Sequence, residues 1–181
     1  MGVANTTDYV TIATVGNATD FGDLTHARYV GGAASNSTRG LFAGGLDPSN
    51  SNIVDYITIA STGNATDFGD LTAAGQTGSG AASSVRALFH VAAAAAIDYF
   101  TIASTGDATD FGDMTQNCAN VSGMSNGTRG VFGGGIAPSN VTNVINYVTI
   151  ASAADAADFG DLTAGRHQFC AQSDSHGGLQ G

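Results

Sequence analysis

Asp8-Tyr-Val-Thr-Ile-Ala13, followed by Asp20-Phe-Gly-Asp-Leu-Thr25, is written four times along this 181-residue chain. The first half returns as Asp55-Tyr-Ile-Thr-Ile-Ala60, Asp98-Tyr-Phe-Thr-Ile-Ala103 and Asn146-Tyr-Val-Thr-Ile-Ala151, and the second begins again at Asp67, Asp110 and Asp158. Tyr9, Tyr56, Tyr99 and Tyr147 each stand 12 residues before a phenylalanine: Phe21, Phe68, Phe111 and Phe159. A further 18 residues lead from the first three of these to Arg39, Arg86 and Arg129. From arginine to the following tyrosine the counts are 17, 13 and 18, which confines length variation to a loop within 46–52, 92–96 and 136–143. A fixed period of this size marks one supersecondary unit repeated along the chain.

Short runs of β-branched and aromatic residues, separated by Gly, Asn, Asp and Ser, fill the unit. In the second copy they predict strands over 29–35, 39–45, 53–61 and 66–72. Along the third of these, Ile53, Ile57 and Ile59 fall on one face and Val54 and Tyr56 on the other. A sheet covered on one side alternates more cleanly, so both faces are expected to be packed. The first run is built of small residues, as in Gly31-Gly-Ala-Ala-Ser35, Gly78-Ser-Gly-Ala-Ala-Ser83 and Val121-Ser-Gly-Met-Ser125, which suits strands converging on a narrow axis.

These features predict an all-β, four-bladed β-propeller of four-stranded antiparallel blades, one domain over 1–181. The blades are expected at 8–25 plus 167–181, 26–72, 73–115 and 116–166. The first joins N- and C-terminal strands, because the chain opens on a third and fourth strand and closes on Phe169-Cys-Ala-Gln-Ser-Asp-Ser-His-Gly-Gly-Leu179. Two partial units then complete one blade and leave no open inner edge.

Composition narrows the function. Every cation is arginine and every anion aspartate, five against fifteen, for a net charge of −10. Such a surface opposes nucleic acid, whose phosphates need a basic stripe. No apolar run is long enough to cross a membrane as a helix, and the N-terminus lacks the basic and apolar regions of a secretory signal. Cys118 and Cys170 occupy different offsets in their repeats and are expected as free thiols.

An aromatic-glycine strand ending in Gly44-Gly45 or Gly134-Gly135, a variable loop, Tyr56 or Tyr147, an aromatic-x-x-Leu turn, and Arg28 or Arg166 together resemble the kelch repeat. The likeness is greatest to the degenerate kelch-like propellers of marine bacteriophages. It covers nearly the whole chain, although phenylalanine replaces the kelch tryptophan, Val91-Ala92 replaces one glycine pair, and kelch rings usually have six or seven blades. The resemblance implies a non-enzymatic virion-associated module, such as a tail fibre, appendage or capsid decoration. Its place is then the virion or an extracellular surface, and its partners are other virion or surface proteins. A carbohydrate-binding propeller with glycan partners is the alternative, since repeated weak sugar sites gain from multivalency.

Among candidate sites, Asp107, Asp110 and Asp113, with Asp155, Asp158 and Asp161, space carboxylates three apart around a glycine and could hold calcium, the one cofactor to weigh. Aspartates in such runs more often cap turns. Arg39, Arg86 and Arg129, with His176 in the fourth copy, form a recurring set of donors for an acidic or polyhydroxyl ligand. The competing expectation pairs each with a repeat-positioned aspartate. The histidines lack zinc spacing, no Gly-x-Ser-x-Gly elbow occurs, and the glycine clusters do not open helices, so no enzyme is expected.

Overall fold

The computed structural model describes residues 3–29, 31–46, 48–75, 80–91 and 94–173. It is an all-β, four-bladed propeller. Three sheets have four antiparallel strands in sequential order. Blade II holds β3 (Gly32–Ser35), β4 (Arg39–Leu46), β5 (Asn50–Thr58) and β6 (Thr66–Asp70). Blade III holds β7 (Gly80–Ala82), β8 (Arg86–His90), β9 (Ala96–Thr101) and β10 (Thr109–Asp113), and blade IV holds β11 (Ser122–Ser125), β12 (Arg129–Gly133), β13 (Val144–Thr149) and β14 (Ala157–Asp161). In blade I, β1 (Thr6–Tyr9) and β2 (Thr19–Asp23) form a two-stranded sheet.

The strands lie where the repeat predicts them. Their ends shift by up to three residues: in blade II the first strand begins at Gly32, the third ends at Thr58 and the fourth at Asp70. The 46–52 stretch is largely sheet, because β4 bulges between Ala43 and Gly45 and then pairs on to Leu46 opposite Asn50. Gly44 and Gly45 take φ of +62° and +119°, and Gly134 and Gly135 take +63° and +108°, values that explain the glycine pair in two of the repeats. The first hairpin of blades II, III and IV is set by side-chain turn chemistry. Asn36 Oδ1 accepts from Thr38 and Arg39 N–H groups, Ser83 Oγ from Val85 and Arg86, and Asn126 Oδ1 from Thr128 and Arg129.

β3 neighbours β7 and β7 neighbours β11, so the small-residue strands are innermost. The fourth inner place is taken by 169–173, which forms no strand where a C-terminal strand is expected; there Ser122 Oγ donates to the Phe169 carbonyl and Ser173 Oγ to Ser125 O. The rest of the expected C-terminal half of blade I, 174–181, lies outside the described residues, as do Gly78 and Ser79 of the third blade's inner run.

The core is found between blades. Leu41, Val54, Phe68 and Leu71 of blade II pack with Phe89, Phe100 and Ile102 of blade III. Leu88, Ile97, Phe111 and Met114 of blade III pack with Phe132, Val148 and Ile150 of blade IV. Both faces of blade III are therefore covered, as the two-sided apolar pattern requires. Each fully buried phenylalanine contributes about 1.5–3 kcal/mol.

Candidate functional site: the blade seams and the axial cavity

Every Asp-Phe-Gly-Asp run contains a β-bulge. On β6, Asp67 pairs with Asp55 and Gly69 with Val54, which leaves Phe68 as the extra residue; Phe21, Phe111 and Phe159 are skipped in the same way. The leading aspartate fixes the bulge in three copies, with Asp67, Asp110 and Asp158 Oδ1 accepting from the N–H of Gly69, Gly112 and Gly160. The bulged ring enters the seam: Phe68 meets Phe100 of the next blade edge-on at 5.5 Å between centroids. It also meets Tyr56 of its own blade at 5.6 Å, a pair repeated as Tyr99–Phe111 and Tyr147–Phe159.

The glycine beside it receives the following blade. A Cβ on Gly22 or Gly69 would collide with the carbonyl of Gly63 or Gly106, and one on Gly112 would lie 2.6 Å from the Ala154 carbonyl. Backbone bonds then tie the seam, from Ala65 N to Asp23 O, Ala108 N to Asp70 O and Ala156 N to Asp113 O, each 2.8 Å. The residue before each alanine adds a side-chain acceptor: Asn64, Asp107 and Asp155 Oδ1 take the N–H of Asp23, Asp70 and Asp113.

The six aspartates weighed for calcium thus stand in three different structural positions. Asp107 and Asp155 reach across seams, Asp110 and Asp158 hold bulges, and Asp113 and Asp161 close the strands. Among the described residues no three His, Cys or Asp side chains gather as a metal site would need.

Arg39 and Arg86 do not take the expected aspartate partners. Arg39 Nη1 donates to Ile102 O of blade III at 2.8 Å, and Arg86 Nη1 to Ile150 O of blade IV at 3.0 Å. Their guanidinium carbons lie 4.5 and 4.6 Å over the rings of Tyr56 and Tyr99, and Arg129 lies 4.8 Å over Tyr147. His176 lies outside the described residues. Counting eighteen from Phe159 reaches Gly177, one residue beyond it.

The ion pair that forms among the described residues was not singled out from the sequence. Arg28 Nη2 sits 2.9 Å from Asp55 Oδ2, with both side chains almost fully buried, and Arg28 Nε donates to Gly44 O. Asp55 also accepts from Thr25 Oγ1 at 2.6 Å. The next seams repeat the threonine without the arginine, from Thr72 Oγ1 to Asp98 Oδ1 at 2.8 Å and from Thr115 Oγ1 to Asn146 Oδ1 at 2.6 Å. Burial pushes the Asp98 carboxyl above the usual range, against the lowering effect of the Thr72 bonds. A charged or amide residue recurring before tyrosine inside an apolar strand was the available signal.

Neither the known protein-family models nor the curated proteins compared with this chain give a match.

On the axis lies a cavity of about 470 Å³. The same three positions of all four inner segments line it: 33–35, 80–82, 123–125 and 171–173, joined at the rim by Ile12. Its polar groups are serine hydroxyls and Gln172. The buried titratable groups lie elsewhere. His90 Nε2 bonds Ala94 O and burial lowers its pKa, while burial raises the Cys118 thiol to about 11. Both cysteines are free, Cys118 buried and Cys170 exposed.

Proposed function

We propose that this protein is a non-enzymatic structural module of a virion or other extracellular surface, built as a kelch-like propeller. The observation that carries the structural part is the use made of the recurring polar residues. The repeated threonine, aspartate or asparagine, and two of the three arginines are engaged in bonds from one blade to the next. Chemistry repeated in register with the blades is what a rigid presenting scaffold needs. The kelch-like resemblance supports the virion setting. Immunogold labelling with antibody to the purified chain tests it: label on assembled particles is expected, and label confined to the particle-free lysate would overturn it.

A sugar-binding reading draws on the axial cavity, whose volume falls in the range of small-molecule sites, about 300–1,000 Å³. Ser35, Ser125, Gln172 and Ser173 supply hydroxyl and amide groups there. Titration with simple sugars to millimolar concentration decides it, and an unchanged protein signal would remove this reading while leaving the structural one.

A further inference from the structure

Three seams of the ring are made alike, and the fourth is not. Phe21, Phe68 and Phe111 are 9%, 2% and 2% exposed, whereas Phe159 on the outer strand of blade IV is 54% exposed. Gly160, the counterpart of Gly22, Gly69 and Gly112, would have nothing within 4 Å of an added Cβ. Arg166, the counterpart of buried Arg28, is exposed. On the other side of this gap blade I presents the matching half. Asn17 stands where Asn64 stands, Asp8 is exposed where Asp55 is buried, and Ala18 is exposed where Ala65 is half-buried. Ile12 is 95% exposed where Ile102 and Ile150 are buried.

We infer that the open face of blade IV is the seat of the chain's own 14–18 turn, and that Arg166 and Asp8 form the latch that closes the ring. The Arg28–Asp55 seam is the template: an arginine seven residues after the bulged phenylalanine meets an aspartate one residue before the next blade's tyrosine. That combination occurs again only across the open seam, because Gly75 and Cys118 occupy the arginine position elsewhere. Closure would place Ala18 N–H against Asp161 O and Asp161 N–H against Asn17, as at the other three seams.

The occupant is this chain's own turn and not that of a second copy, for two reasons. All four inner segments already surround one cavity with equivalent residues, and Ile12 already reaches its rim. A tethered segment also acts at high effective concentration, about millimolar for a short flexible connection.

Native-state hydrogen exchange with a solution mass measurement tests the latch. Ala18 N–H, like Ala65 and Ala108 N–H, is expected to exchange about a hundredfold more slowly than an open amide, in a species of 18.0 kDa. Arg166→Asp should abolish protection at Ala18 alone and leave Ala65 and Ala108 protected. Adding Asp8→Arg should restore it. Fast exchange at Ala18 in the parent chain would overturn the inference, as would failure of the reversed pair to rescue. Protection present only in a species of twice the mass would also overturn it, in favour of a second copy.

Discussion

At the scale of single residues, three of the seams put different chemistry in one place. Arg28 neutralises Asp55, Asn146 carries no charge, and Asp98 is buried with threonine donors but no cation. Asp98→Asn should therefore raise the melting temperature at pH 7. The sign follows from the raised folded pKa. The folded state holds this proton more firmly than the unfolded chain, so the stability it contributes is full below pH 3.8 and is lost as pH rises through the folded value. The advantage of Asn should vanish in acid, which paired thermal melts at the two pH values will check. At the neighbouring seam, Asp55→Ala strands a buried guanidinium and should cost about 3–5 kcal/mol in urea unfolding. Arg28→Cys with Asp55→Asn copies the Cys118–Asn146 seam and should recover most of that loss.

At the scale of the element, the bulge explains why the Asp-Phe-Gly-Asp run is kept while the strands around it vary. The aspartate holds the glycine N–H, the extra residue turns the phenylalanine toward the next blade, and the glycine makes room for the incoming turn. Gly69→Ala tests the last step. Its φ of +143° disfavours a side chain, and the new methyl would strike the Gly106 carbonyl. A loss of about 2 kcal/mol or more is expected by chemical denaturation. The spacing of this run was legible from the sequence, and its role as a bulge was not, since one extra residue is defined only against the partner strand.

At the scale of the whole molecule, the cores are shared between blades, so blades II to IV should open together. Cys118 reports on this because it is buried in the seam between blades III and IV, with a thiol pushed up to about 11, whereas Cys170 is exposed. Alkylation at pH 8 should modify Cys170 rapidly and Cys118 only at the rate of global unfolding, as peptide mass mapping will show; rapid labelling of both would mean that the seam breathes locally. The sequence alone determined the strand-turn rhythm, the number of blades and the small inner strands, because strand periodicity, turn chemistry and residue size are properties of neighbours along the chain. The tertiary structure decided that the repeated arginines seek carbonyls and tyrosine rings instead of aspartates, that Arg28 finds Asp55 thirty residues past Thr25, and that three seams are sealed while the Phe159 face stands open. Those outcomes depend on which groups two separate blades bring within bonding distance, and no local pattern carries that information.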